Sequence, residues 1–470
     1  KQVFHDSILG TYLFELNTPL FSEKSLKMSY SLEKEVKGFE TNKTINSNGV
    51  YIKSHHFNPT LGYVNDYEIK YNYERIQRGL PKRESIVVND SYLQLDGKFN
   101  FENIKFETTI STTNDQTAIS SGDLIKKWQE NDRNYYQYKA SDNINSKVAF
   151  FSARYSVKKE IYRGIKLELY HHPNHTQNID EMLCAAKASI DYCSDNFGKY
   201  PHDYLRIVET SKHESSNGQA MPGVITINEK IFKRSIKNPN SFNVVARVII
   251  HEISHQWWGF LLTPKRVEGY MVLSESLAKY TESVVLEKLY GKAMANKLSA
   301  YTVKKYFSGR SYASEIEPSL YLSNHQSYLG YSKGAIIMSA IKELIGENNL
   351  NRVLRKLVDE YKNKPIATTL NLIEELYEIT PKEHHKLLDD WMKHVVTYDL
   401  KIVNSSYKKM LDGKYQLTAT VNAKRYKTNA LGEQVEINID EPIYIGAFKK
   451  LPSAINSNND VIYLKPHQIN

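Results

Sequence analysis

The sequence predicts a multidomain α+β chain, and three observations predict it. Its 470 residues are too many for one compact domain and suggest three. Short β-type runs fill the first 160 or so residues, and helical periodicity dominates the middle. Period-two alternation returns near the end. The expected division is an N-terminal β-rich domain over 1–161, a mostly helical domain over 162–396 and a small C-terminal β-sandwich over 397–470. With 41% hydrophobic and 24% charged residues, the composition is that of an ordinary globular protein. No run of 18 apolar residues occurs, so no membrane span is expected within this sequence.

In the first part, Phe106 to Ile110, Val148 to Phe151, Val50 to Ile52 and Ile86 to Val88 read as strands between Asn, Asp, Gly and Pro clusters. His55 and His56 are an isolated loop pair there, without a catalytic cluster around them. From Ile165 the pattern becomes strand, helix, strand. IKLELY alternates, Ile179 to Phe197 recurs at helical spacing, and YLRIVET is the next strand. The two cysteines, Cys184 and Cys193, share that helix about 13 Å apart, beyond disulfide reach. Cys193 falls on the apolar face as a core residue.

The chemistry concentrates between Asn243 and Glu282. Val244, Val245, Val248, Ile249, Ile253 and Trp257 recur as on a largely buried helix, with Gly259 where a C-terminal cap is expected. His251 and His255 lie one turn apart and face the same way. Two imidazoles so placed can hold one zinc ion, and Glu252 between them faces the position a water would take. Histidine pairs on helices are more often surface or satisfied core residues. Three ionisable groups on so apolar a helix are nevertheless costly to bury without a metal or partners.

A catalytic zinc usually takes a third protein ligand. Glu275, in LSESLAKY, opens a second helical pattern and is the expected one. Glu268 and Glu282 are its competitors, and Glu282 is better placed as a partner of one histidine.

HEISHQWWG followed by LSESLAKY resembles the gluzincin aminopeptidases, the family of aminopeptidase N. Tyr331-Ser332-Lys333-Gly334 resembles that family's YxKG element, whose tyrosine stabilises the oxyanion, and the resemblance gives Tyr331 that role. It further implies a thermolysin-like catalytic domain over 162–396, one zinc per chain and a peptide substrate. Glu252 would be the general base.

Two departures stand out. The spacing to Glu275 is one residue longer than usual, which the loop between the helices would absorb. The family's GAMEN motif, whose glutamate grips the substrate's α-amine, is replaced by Ser216-Asn217-Gly218-Gln219-Ala220-Met221-Pro222-Gly223. Aligned on Pro222-Gly223 the glutamate's position falls on Ala220, aligned on Ala220-Met221 nothing acidic follows, and neither Glu214 nor Glu229 fits the motif. Gly218, Gln219 and Ala220 are still expected to line the cleft as an extended edge.

The stretch from Phe106 to Val157 resembles a narrower branch, bacterial peptidase domains joined to ABC-type permease segments. That implies a tether to membrane segments outside this chain and an extracytoplasmic location. The net charge of +9 is scattered, without a nucleic-acid-binding motif, so no nucleic-acid partner is expected. Three functions follow as alternatives: an aminopeptidase-like zinc peptidase, an endopeptidase, or a catalytically idle zinc-bearing module that captures peptides.

Overall fold

The computed structural model describes residues 1–6, 11–19, 27–33, 44–54, 69, 71–82, 103–236, 241–362, 364, 366–429, 431–450 and 460–467. His55, His56, the run from Ile86 to Val88, and Pro365 lie outside the described residues. The chain divides into two units, Lys1–Thr41 and Asn42–Asn470. In the first, Gln2–Asp6 and Thr11–Phe14 form an antiparallel hairpin with His5 stacked on Tyr12.

Within the second unit, the β-rich expectation for its early part is met. A four-stranded sheet contains Gly49–Lys53, Thr117–Ser120 and Ala149–Ala153, and a three-stranded antiparallel sheet has Arg133–Lys139 between Glu107–Thr113 and Asp123–Glu130. Tyr51, Ile119 and Phe151 from the first of these pack with Tyr170, Tyr204, Val208 and Met221 of the sheet that follows. Buried Arg206 joins the two layers. Its guanidinium donates to the carbonyls of Ser120 and Gly122 (3.0 and 2.7 Å) and pairs with Glu168 at 3.0 Å.

The central sheet has five strands: β1 (Ser156–Tyr162), β2 (Ile165–His171), β3 (Tyr204–Thr210), β4 (Gly218–Met221) and β5 (Val224–Asn228). Their spatial order is β1-β2-β3-β5-β4. The trio β2-β3-β5 is parallel, and its inner strands β3 and β5 are buried along their whole length, with helices covering the sheet. β4 runs antiparallel to β5 and forms one edge of the sheet.

Helices cover this sheet. α1 (Ile179–Phe197) and α2 (Val244–Ser254) pack on each other, and α3 (Leu277–Tyr290) packs on α2. α4 (Lys292–Ser311), which the periodicity did not single out, precedes α5 (Gly334–Ile345), α6 (Glu347–Tyr361), α7 (Thr369–Ile379) and α8 (His385–Met392). One hydrophobic core runs through all of this, from Leu167 on β2 to Met392 on α8. Cys193 is fully buried within it, while Cys184 is exposed and both thiols are free.

The C-terminal residues form antiparallel strands. Val396–Lys409, Tyr415–Thr428 and Gln434–Ile437 make a three-stranded sheet, and Ile443–Phe448 pairs with Val461–His467. Arg425, buried at 1% exposure, ties the first of these to α8 through Asp390 at 2.8 Å.

Candidate metal centre

α2 starts where sequence chemistry starts it. The Asn243 side chain accepts the Ala246 N–H (3.1 Å), satisfying one of the free donors of the first turn. The helix ends earlier than the apolar spacing predicts, at Ser254 with His255 as cap. Gly259 lies beyond the turns that follow, at φ +120. Those turns are held by the tryptophans. Trp257 and Trp258 are fully buried, and their indole N–H groups donate to the Gly198 carbonyl (2.8 Å) and the Thr281 hydroxyl (2.9 Å). Buried aromatics of this size stabilise a core by about 3–5 kcal/mol relative to alanine. Here they also fix the backbone that orients a histidine, because the Trp258 carbonyl lies 2.8 Å from His255 Nδ1. A ring fixed this way turns its Nε2 outward.

Outward is where the other groups converge. His251 Nε2 and His255 Nε2 lie 3.3 and 3.4 Å from one oxygen, Glu275 Oε2. The potential ligand atoms of His251, His255 and Glu275 all lie within 4.8 Å of one another. Glu275 Oε2 is buried and makes no hydrogen bond. An orphaned carboxylate oxygen between two imidazole nitrogens is the donor set that zinc takes. Two histidines and a glutamate, with a cleft on the open side, therefore fit the metal. Among the described residues no other such group occurs, and Glu268 is not part of this one.

Glu275 sits on a π-helical turn, Val272–Ser276, that runs directly into α3. Both the Glu275 and Ser276 N–H groups donate to the Met271 carbonyl (2.8 and 3.2 Å). A π turn holds one residue more than an α turn. The lengthened spacing between His255 and Glu275 thus has a place inside the helix itself, not only in the loop ahead of it. Tyr331 lies on a second π turn, Tyr328–Lys333, that feeds α5. The two turns touch through glycines. A Cβ at Gly334 would lie 1.9 Å from Ser276 Oγ, and one at Gly330 would lie 2.8 Å from Met271 Cε. Ser276 Oγ donates to the Gly330 carbonyl at 2.7 Å. The glycine of the YxKG element is thus needed for close approach, which brings Tyr331 over His251 with ring centroids 5.9 Å apart.

Glu282 is fully buried behind the cluster. Its carboxylate is 3.3 Å from His251 Nδ1, pairs with Lys279 and lies 3.7 Å from Arg247. Burial alone would raise its pKa, but Lys279 and Arg247 hold it near 2. Burial opposes a charge on His251, yet Glu275 and Glu282 outweigh it and raise this imidazole to about 9. Glu275 is held well below the carboxylate range, its own burial offset by the two histidines. Glu252 goes the other way. Burial raises its pKa, with His251 and His255 opposing, the direction a proton-accepting carboxylate needs. Burial and Glu275 raise the Tyr331 phenol, which keeps it a donor.

A cleft of about 620 Å³ holds His251, Glu252, His255, Glu275 and Tyr331 together with Gly218, Gln219 and Ala220 of β4. Glu282 stands behind this wall. Two residues set the distance between β4 and α2: Gln256, which sequence reasoning missed, and Gly218, which it placed on the cleft edge. Gln256, buried after the second histidine, accepts the Gly223 N–H (2.9 Å) and donates to the Met221 carbonyl (3.0 Å). Gly218 lies so near Glu252 that a Cβ there would be 2.7 Å from the carboxylate's Cγ and Oε1. A polar residue following HExxH was a usable signal for Gln256; that Gly218 lies against Glu252 only the fold reveals.

Residues 182–391 match the peptidase family M1 domain. The matched region contains every residue of the cluster and of the edge strand. Among curated proteins, the chain is 23% identical to rat (Rattus norvegicus) endoplasmic reticulum aminopeptidase 1 over 259 residues, covering 52% of this chain and 27% of that protein. It is 24% identical to aminopeptidase N of Lactobacillus helveticus over 344 residues, covering 64% of this chain and 40% of that protein. The chain therefore spans less than half the length of these relatives. A solved structure of the M1 zinc metallopeptidase from Deinococcus radiodurans, a mutant bound to a Tyr-Ser-Ala substrate, superposes with a TM-score of 0.50 at 16% identity. That match covers 67% of this chain and 72% of the other. The likeness is one of fold: a β-rich N-terminal region, a helical middle and C-terminal strands.

Proposed function

We propose that this protein is a zinc-dependent peptidase that hydrolyses peptide bonds. The observation that carries the reading is the convergence of His251, His255 and Glu275 on one point, with Glu252 and Tyr331 facing the same cleft. When bound there, zinc supplies a Lewis acid that acidifies a water and polarises a carbonyl. Glu252, with its pKa raised by burial, accepts the water's proton and passes it to the leaving amine. Tyr331 donates its hydroxyl to the carbonyl oxygen as negative charge develops. The edge strand β4 has one side unpaired within its sheet, so an extended peptide can align along Gly218, Gln219 and Ala220 by adding a strand.

The three carboxylates of the cleft favour internal as well as terminal cleavage. Glu252 and Glu275 are engaged with the metal chemistry, and Glu214 is paired with Lys53 at 2.8 Å. No carboxylate among the described residues lining the cleft is left for a substrate's α-amine, in keeping with a Ser216–Gly223 stretch without an acidic residue. Cleavage of both free and amino-blocked forms of one peptide is the expected result, and trimming of the free form alone would return the protein to strict aminopeptidase action.

The central test is a pair of variants. Glu252→Gln keeps one zinc per chain and loses turnover, whereas His255→Ala loses both. Full activity in either variant would refute the assignment, and zinc binding without any cleavage by the unsubstituted protein would leave a peptide-capturing module. On the resemblance to permease-joined peptidases, we further propose that the domain works outside the cytoplasm, tethered to membrane segments beyond this chain. Cell fractionation checks this, and recovery of the full-length protein in the soluble cytoplasm would reject it.

A further inference from the structure

The charges lining the cleft are nearly all accounted for. Lys53 is bonded to Glu214 at 2.8 Å. Arg266 lies over the Tyr270 ring, 4.1 Å from its centroid. Glu275 faces the two histidines, and Glu252 is the proton acceptor. Lys147 remains. It stands on the short segment between Ile144–Asn145 and Ala149–Ala153, so the β-rich layer delivers it to the cleft wall. Its backbone N–H bonds the Asn145 side chain at 2.9 Å. Its ammonium lies 6.0 Å from the centroid of Phe260, and no carboxylate among the described residues pairs with it. A desolvated ammonium without a counter-ion is costly, and burial accordingly lowers its pKa while Glu252 and Glu275 oppose that shift.

We propose that Lys147 is a substrate-binding residue that pairs with a carboxylate on the peptide, so that the cleft selects an Asp or Glu side chain next to the scissile bond. This rests on the peptidase reading. Two features of the wall support it. The cleft has no free carboxylate to attract an ammonium, and its unpaired charge is positive. Lys147 also comes from the β-rich layer and lines the same cleft as the metal-ligand helices and β4, so a peptide lying along β4 comes within its reach. A charge-assisted bond to a half-buried lysine is worth about tenfold or more in affinity.

The test uses the zinc-loaded full chain and one amino-blocked peptide frame, with Ala, Asp, Glu or Lys at each position flanking the cleaved bond. Cleavage is followed by kcat/KM, and binding is measured separately on the Glu252→Gln protein, where turnover does not interfere. Asp or Glu at one flanking position should exceed Ala by about tenfold in both measurements. The ratio should fall to parity with Lys147→Met, persist with Lys147→Arg and invert in favour of Lys with Lys147→Glu. Equal cleavage of all peptides, or an acidic preference surviving in Lys147→Met, overturns this inference and leaves the peptidase standing. Preferential binding of acidic peptides without any cleavage leaves the carboxylate site standing and removes the peptidase. Neither binding nor cleavage overturns both.

Discussion

Gly218→Ala is the substitution by which the structure most directly commits itself. A Cβ at this position would lie 2.7 Å from both Cγ and Oε1 of Glu252 and 2.9 Å from Cδ. Ordinary carbon contacts are about 3.5–4.0 Å, so the overlap is close to 1 Å. β4 cannot give way easily. It is hydrogen-bonded to β5 over Gly218–Met221 and held at its end by Gln256. Glu252 must therefore move, and a displacement of about 1 Å in a reacting group costs about 100-fold in rate. The overpacking itself costs about 1–3 kcal/mol of stability, small enough for the domain to remain folded. The three atoms nearest the added methyl group all belong to Glu252, so metal content is expected to stay at the unsubstituted level. The assay is kcat/KM on a cleaved peptide, with zinc measured by elemental analysis and folding by thermal melt. A Gly218→Ala protein with wild-type turnover would refute the placement of Glu252 against the edge strand. A variant that also loses its zinc would show that the change spreads to the ligands, contrary to the steric reasoning.

Glu282→Gln leaves buried Lys279 and half-buried Arg247 without their shared carboxylate. It should cost about 3–5 kcal/mol of stability and about 10- to 100-fold in zinc affinity through His251, read by chemical denaturation and metal titration. The pH dependence has two opposed parts. In the metal-free chain His251 is raised to about 9, so its contribution to stability is full below its ordinary value of about 6.5 and is lost as pH rises through 9. Zinc requires the neutral imidazole, so its affinity should instead rise about tenfold per pH unit up to about 9 and then level off. Calorimetric titrations at several pH values check this, and a flat affinity between pH 6 and 9 would contradict it. Tyr331→Phe should lower kcat by about 100-fold with KM little changed, the loss of one oxyanion donor; a shift confined to KM would make Tyr331 a binding residue only.

How much of this was legible in the sequence depends on how far apart in the chain the interacting residues lie. His251, Glu252 and His255 are joined by one helical turn, so their spacing alone places them on one face. The strands Ile165–His171 and Tyr204–Thr210 and the helix Ile179–Phe197 were equally readable, because alternation and 3.6-residue periodicity are local signals. The end of α2 was not. Apolar Trp257 continued the pattern, yet the helix stops at Ser254, because the two indoles gain more by bonding Gly198 and Thr281 than by prolonging it. The π turns at Val272–Ser276 and Tyr328–Lys333 carry no propensity signal of their own.

Those two turns also explain why the glycines could not be read. Glu275 and Tyr331 belong to helices distant in sequence, and each must reach the same small volume beside His251. Widening one turn of each helix shifts the side chain's direction locally without moving the rest of α3 or α5, whose apolar faces are committed to the core. The shift works only if the turns can touch, which is the condition that Gly330 and Gly334 meet against Met271 and Ser276. A glycine inside a helical pattern reads locally as a weakness of up to about 1 kcal/mol. In the fold it is the space that lets one helix's hydroxyl donor approach the candidate ligand carried by another helix, and the same logic places Gly218 against Glu252. The cleft is thus assembled by residues whose own chemistry is nil, and substitution by alanine at any of the three should impair the proposed site while leaving every proposed catalytic side chain in the sequence.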